Sequence, residues 1–242
     1  NQNDMTTNNG FYGLNIAPSL LQILERLNFK NPTPIQSQAI PVAIDGKDVV
    51  GIAQTGTGKT LAFGIPMIQR LAQLKKQGLI LLPTRELALQ VEEVLHKVGQ
   101  SLGLRTVVLI GGAPMGPQVQ ALFRKPHVIV ATPGRLIDHL EHRNVRLDGV
   151  GIVVFDEADR MLDMGFAPQL KRILQVLPPS SNRQTMLFSA TMPAEIMKIA
   201  SLHMKLPVRV EIAPAGTTSE RVTQELFVVQ RDQKIGLLKK LL

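Results

Sequence analysis

From residue 48 onward, short apolar runs alternate with stretches whose apolar residues recur every three to four positions. The short runs predict strands over 48–53, 79–82, 106–110, 127–131, 151–155, 184–188 and 208–212. Most are continuous rather than alternating, the pattern of strands covered on both faces of a parallel sheet. The periodic stretches predict helices over 59–76, 85–102, 116–124, 133–141, 168–176 and 194–203. Pro66 lies inside the first of these and is expected to kink it or shorten its first part. Upstream, Pro18-Ser19 opens a helix with Leu20, Leu21, Leu24 and Leu27 on one face. Thr33 reads as the N-cap of a second helix, with Pro34 at its first position and an end near Asp45-Gly46. Strand–helix alternation of this kind predicts an α/β fold: one mostly parallel sheet with helices on both faces.

The ends read differently. Residues 1–10 are polar and Asn-rich, as in a frayed or disordered arm. Residues 11–212 form the single lobe, and 213–219 have the composition of a linker. Beyond it, 222–229 alternate as a strand and 234–242 as an amphipathic helix, so 213–242 read as a linker and the start of a missing second domain.

Composition narrows the partners. The 242 residues carry a formal charge of +8 and a pI near 10.0, and 44% of them are apolar, enough for a sizeable core. The basic balance points to a polyanion, nucleic acid before an anionic membrane surface, with an inert basic surface as the alternative. The absence of cysteine excludes a disulfide framework and thiolate metal sites. No apolar run approaches the ~18 residues of a membrane span and no leader pattern opens the chain, so a cytoplasmic compartment is the default expectation.

Candidate chemistry starts at Asp48–Leu61, where an apolar run meets Gln54-Thr55-Gly56-Thr57-Gly58-Lys59-Thr60 and then a helical pattern. This is the strand–loop–helix order of a phosphate-binding loop. Gly56 and Gly58 let backbone N–H groups close on phosphate oxygens, Lys59 supplies a cation for them, and Thr60 a hydroxyl for Mg²⁺. Ala53 stands where the usual pattern has its first glycine. The remaining unusual residues also follow strands: Pro83-Thr84-Arg85-Glu86, Gly111-Gly112, Thr132-Pro133-Gly134-Arg135, Asp156-Glu157 and Ser189-Ala190-Thr191. Parallel sheets place ligands at the carboxyl ends of their strands. Taken singly, several of these are also ordinary turn and helix-start chemistry. Asp156 can hold Mg²⁺ through its water shell, and Glu157 can orient and deprotonate a water; an acidic helix N-terminus is the alternative for the pair.

Together these strings spell a family. Asp156-Glu157-Ala158-Asp159, with the phosphate loop and the Pro83–Ala88, Gly111-Gly112, Thr132–Arg135 and Ser189–Thr191 strings, resembles the first RecA-like lobe of DEAD-box ATP-dependent RNA helicases. The resemblance runs from Phe11 to the end, and the phrase from Asp156 to Phe166 is most similar to bacterial RhlE-type members. Ala53 fits that family's own version of the loop. The resemblance implies a RecA-like P-loop fold in a single lobe, with ATP and Mg²⁺ as cofactors. Its partners would be RNA, gripped by its backbone, and a second RecA-like lobe, in a monomer. It adds a Q motif over Phe29–Gln36, with Asn31 inside it and Phe11 as the isolated upstream aromatic. Gln36 would hydrogen-bond the adenine edge, as a side-chain amide can, and Phe29 would stack on the ring. Asn28 departs from the family's usual glycine, but asparagine tolerates a left-handed backbone. Pro83, Arg85, Gly112, Thr132, Gly134 and Arg135 match positions used on the RNA backbone. Ser189 and Thr191 match the motif that couples ATP state to RNA, with a hydroxyl bridge to Asp159 expected. Lys59, Asp156 and Glu157 would form the catalytic set.

Overall fold

The computed structural model describes residues 10–214; the arm over 1–9 and the strand and helix expected over 222–242 lie outside the described residues. Within them, seven strands form one sheet. They are β1 (Val49–Ile52), β2 (Gln77–Leu81), β3 (Thr106–Leu109), β4 (Val128–Ala131), β5 (Val150–Phe155), β6 (Gln184–Ser189) and β7 (Val208–Glu211). The spatial order is β3-β4-β2-β5-β6-β1-β7, and every recorded pairing is parallel. The continuous apolar runs have their physical reason here. Every residue of β1, β4, β5 and β6 is buried, because helices cover both faces.

Alternate strand residues feed two separate cores. Val49, Ile80, Val154 and Phe188 pack with Leu24 of α1 (Pro18–Arg26), Ile40 of α2 (Pro34–Ile44), Ile65 of α3 (Lys59–Leu74) and Leu95 of α4 (Arg85–Gly99). Val50, Leu81, Val153 and Leu187 pack on the other face. Their partners are Leu136 of α6 (Pro133–Glu141), Met161 of α7 (Ala158–Asp163), Ile173 of α8 (Ala167–Val176) and Ile196 of α9 (Ala194–His203). Between β3 and β4 lies α5 (Met115–Phe123).

Several expectations need correction. The α1 core face is Leu20, Ile23 and Leu24; Leu27 is 36% exposed, because it caps the helix rather than continuing it. Pro66 does not shorten α3, which runs unbroken from Lys59 to Leu74 with Pro66 buried inside it. Pro41 likewise sits inside α2. Burial of both helices against the sheet outweighs the ladder bond each proline forfeits. The long helix expected to reach residue 102 ends as an α-helix at Gly99 and continues as a single 3₁₀ turn. The short helix α7 is an addition; six residues are too few to show a period.

Candidate active site at the carboxyl edge of the sheet

The loop between β1 and α3 turns through two glycines in the left-handed region, Gly56 (φ 82°) and Gly58 (φ 87°), which side-chain-bearing residues rarely adopt. Gly58 also permits close packing. A Cβ there would come within 2.5 Å of Gln36 Nε2. Gln36 is buried and spans two elements: its Oε1 accepts from Thr33 N at 2.9 Å and its Nε2 donates to Gly58 O at 3.0 Å. The start of α2 is thereby clamped to the phosphate loop. One N–H and one lone pair of the amide stay free for a ligand. Asn28 adopts φ 64°, the left-handed turn expected of it, and this places Phe29 at the surface, 37% exposed. Asn31, Gln54 and Thr55 are exposed as well, whereas Thr57 Oγ1 is turned back onto Gln54 O at 2.6 Å. Phe11 is corrected by the structure. It is 1% exposed within the core, so its ring has no free face for a base.

Lys59 and Asp156 face each other at the head of α3 and the end of β5, with Nζ 3.5 Å from Oδ1 and both side chains buried. Burial pushes the Asp156 carboxyl up to about 6, Lys59 opposing that rise and the neighbouring Glu157 carboxylate adding to it. The same Oδ1 accepts from Glu157 N at 2.9 Å. Glu157 itself holds a left-handed backbone (φ 52°, ψ 50°), a strained state for a side-chain-bearing residue that is common at functional sites. Its carboxylate accepts from Thr55 Oγ1 at 3.2 Å and meets Arg160 Nη1 at 3.3 Å.

These groups suit Mg²⁺. Asp156 offers a buried carboxylate oxygen at the end of β5, a hard ligand of the kind such a cation takes. Among the described residues no group of three or more His, Cys, Asp or Glu could hold a metal by itself. Asp156 and Thr60 are the residues that would supply oxygens to Mg²⁺.

The hydroxyl bridge expected to Asp159 is present. Asp159 Oδ2 accepts from Thr191 Oγ1 at 2.9 Å and from Thr191 N at 3.1 Å, while Ser189 Oγ accepts from Asp159 N at 3.2 Å. The end of β6 is thus bonded to the start of α7.

The other half of the edge carries the residues expected on RNA. Arg85 is exposed and its Nη1 lies 2.9 Å from where a Cβ on Gly112 would stand, so the guanidinium covers that glycine. Gly134 faces open space, with nothing within 4 Å of its missing Cβ, and Thr132 is nearly buried as the N-cap of α6. Pro83 is buried and so shapes the turn without offering a surface of its own. Arg135 is held from behind, with Nη1 donating to Ala113 O at 2.9 Å and to Gln118 Oε1 at 3.3 Å. Gln118 and His139 belong to this support and were not singled out in the sequence. Gln118 donates to Ile110 O at 3.0 Å, and its Oε1 also meets His139 Nε2 at 2.8 Å, with Asn144 Nδ2 against His139 Nδ1 at 3.1 Å. Burial, then Arg135, pushes the His139 pKa down, in keeping with a neutral ring in this network. A lone Gln on a helix and a lone His on another carry no spacing signal that would have joined them.

Known proteins share this arrangement. The DEAD/DEAH box helicase family profile matches residues 33–199, more than half of the chain. The ATP-dependent rRNA helicase RRP3 of Debaryomyces hansenii is 46% identical over 96% of this chain and 49% of its own length. The DEAD-box ATP-dependent RNA helicase CshA of Bacillus subtilis is 44% identical over 96% of this chain and 47% of its own. The chain therefore spans about half the length of the curated relatives it matches. Among solved structures, a DEAD box protein from Methanococcus jannaschii superposes with a TM-score of 0.78 at 35% identity, over 84% of this chain and 55% of that one. The yeast DEAD-box splicing factor Prp28 gives 0.79 at 36%, over 87% and 53%. With its single RecA-like α/β lobe and the motif residues gathered along one edge, this chain belongs to the DEAD/DEAH box helicase family.

Proposed function

We propose that this chain is the nucleotide-binding lobe of an ATP-dependent RNA helicase, a hydrolase that opens short RNA duplexes locally as two lobes close. The observation that carries this is the convergence of Lys59, Asp156, Glu157 and the Gln36–Gly58 clamp at the same strand ends, with Asp159 bonded to Ser189 and Thr191 beside them. Gln36 and Phe29 would select adenine, and the backbone N–H groups of Gly56–Thr60 with Lys59 would take the phosphates. Mg²⁺ held at Asp156 and Thr60 would neutralise charge on the phosphate oxygens. Glu157, oriented by Thr55, would position and deprotonate the attacking water. Arg85, the Gly112 backbone, Thr132, the Gly134 backbone and Arg135 would bind sugar-phosphate, contacts that position a strand without reading its sequence. Likeness to RhlE-type members rests on the Asp156–Phe166 phrase. No helix among the described residues is long and apolar enough to cross a membrane.

The second lobe is part of the proposal, because the relatives are about twice as long as this chain. The test joins this lobe to a second one and measures single-stranded RNA against DNA in competition, with a non-hydrolysable ATP analogue bound. RNA preference that depends on the analogue is the expected result. DNA preference would instead support a nucleotide-dependent motor on another substrate. Absence of ATP or ADP binding by calorimetry would leave a non-catalytic module.

A further inference from the structure

The strand starts form the opposite edge of the sheet, and a recess there is used by none of the groups above. A cavity of about 510 Å³ opens between the end of α3 and the entries to β2, β5, β6 and β7. That is within the usual ~300–1,000 Å³ of small-ligand pockets. Its lining includes four cations, Arg70, Lys76, Arg183 and Lys205, and one carboxylate, Asp148, which Arg146 already engages at 3.2 Å.

The cations are built into place. Arg183 is 4% exposed and donates to Thr185 Oγ1 at 3.0 Å, to His203 O at 3.0 Å and to Pro178 O. Arg70 donates to Gln184 Oε1 and lies against Gly46, where a Cβ would stand 3.0 Å from its Nη2. Gln184 is itself fixed by donating to Ala43 O and Lys47 O, each at 2.8 Å. The Lys76 stem crosses Gly151, where a Cβ would stand 2.7 Å from its Cδ. Lys205 has its backbone N bonded to Asp48 Oδ2 at 2.6 Å and its side chain exposed.

Every acceptor named for the two guanidinium groups is neutral. Among the described residues neither group has a carboxylate within ion-pair reach, and Asp45 and Asp48 act on them only at longer range. Burial lowers both arginine pKa values, the cost of a desolvated charge without a partner. A counter-charge from outside would meet that cost. Guanidinium forks and lysine ammonium groups together favour phosphate among anions.

We propose that this amino-edge recess binds a phosphate-bearing anion, held by Arg70 and Arg183 at its floor and by Lys76 and Lys205 at its rim. With strands of four to six residues at ~3.3 Å each, the recess lies roughly 13–20 Å from the phosphate loop and is a separate site. The phosphate comes either from a small phosphorylated molecule or from the backbone of a nucleic acid strand.

The test titrates inorganic pyrophosphate into the ¹⁵N-labelled chain and follows amide shifts. Saturable shifts at Gly46, Gly151, Asn182 and Lys205 are expected, distinct from any at Gly56–Thr60. The double variant Lys76→Gln, Lys205→Gln, at two exposed positions, is expected to weaken binding at the recess at least tenfold while leaving phosphate-loop shifts unchanged. Shifts confined to Gly56–Thr60, or recess affinity unaltered in the double variant, would overturn the proposal. A single-stranded RNA decamer then separates the sources. Displacement of pyrophosphate from the recess by RNA supports a nucleic acid strand, and retention supports a small phosphorylated ligand.

Discussion

At the residue scale the site is a contest between burial and charge at Asp156. Its carboxyl titrates near 6 in the folded chain against 3.8 for the free group. A raised acid pKa means that the folded state prefers the protonated form. The stability this lends is full below about pH 4 and is lost as pH rises through about 6. The native chain should therefore lose stability relative to Asp156→Asn between pH 4 and 7, by up to about 3 kcal/mol. Denaturant titrations of both chains at several pH values check this, and a constant difference across that range would show the carboxyl to be unperturbed. Lys59 holds the titration down, so Lys59→Ala should move it higher still. The same variant should lose about ten- to a hundredfold in ATP affinity by calorimetry, the worth of one charge-assisted bond. Glu157→Gln keeps the shape and the bond from Thr55 but removes the base. It should bind ATP normally and lose about 10²–10⁴ in turnover once the second lobe is present.

At the scale of elements, the strands and helices were legible wherever a run was long and periodic. Ends were less so. The strand expected at 79–82 begins two residues earlier at Gln77, because pairing with β5 extends across Gln77 and Gly78 whatever their hydropathy. The prolines in α2 and α3 marked places where local preference and tertiary burial disagree, and burial prevailed. Close packing on β1 makes a sharp prediction. A Cβ on Gly51 would stand 2.5 Å from Phe188 Cδ1 on the neighbouring strand, so Gly51→Ala should destabilise the chain by about 1–3 kcal/mol in urea titrations. The Gln118 network joins α5 to α6. Gln118→Leu should cost about 1–3 kcal/mol by the same measurement, since it strands Ile110 O and His139 Nε2 without their partner.

On the scale of the whole molecule, the strand order sorts the edge into two halves. The loops after β5, β6 and β1 are adjacent and carry the residues proposed for nucleotide and coupling, while those after β3, β4 and β2 are adjacent and carry the residues expected on RNA. The boundary is the β2–β5 pair, through which Asp156 N bonds to Leu81 O at 2.9 Å. The ATP site proposed here lies along one edge of the sheet. An arginine contributed from a second lobe would be worth about 10³–10⁵ in rate, so this chain alone should hydrolyse ATP very slowly. A phosphate-release assay with and without RNA measures this, and strong RNA-stimulated turnover by the lobe alone would contradict it.

The sequence by itself determined the parallel α/β architecture, the phosphate loop, the acid pair and the family, because these are written in local spacing and in contiguous strings. The family resemblance also anticipated the hydroxyl bridge from Thr191 to Asp159. Only the tertiary structure decided that Phe11 is core and Phe29 surface, that Pro83 is buried, and that Gln36 clamps the phosphate loop. It alone brought Gln118 to Arg135 and His139, and four scattered cations to one recess. Each of those depends on residues far apart in the chain meeting in space, and burial and pairing across such distances leave no period or motif to read.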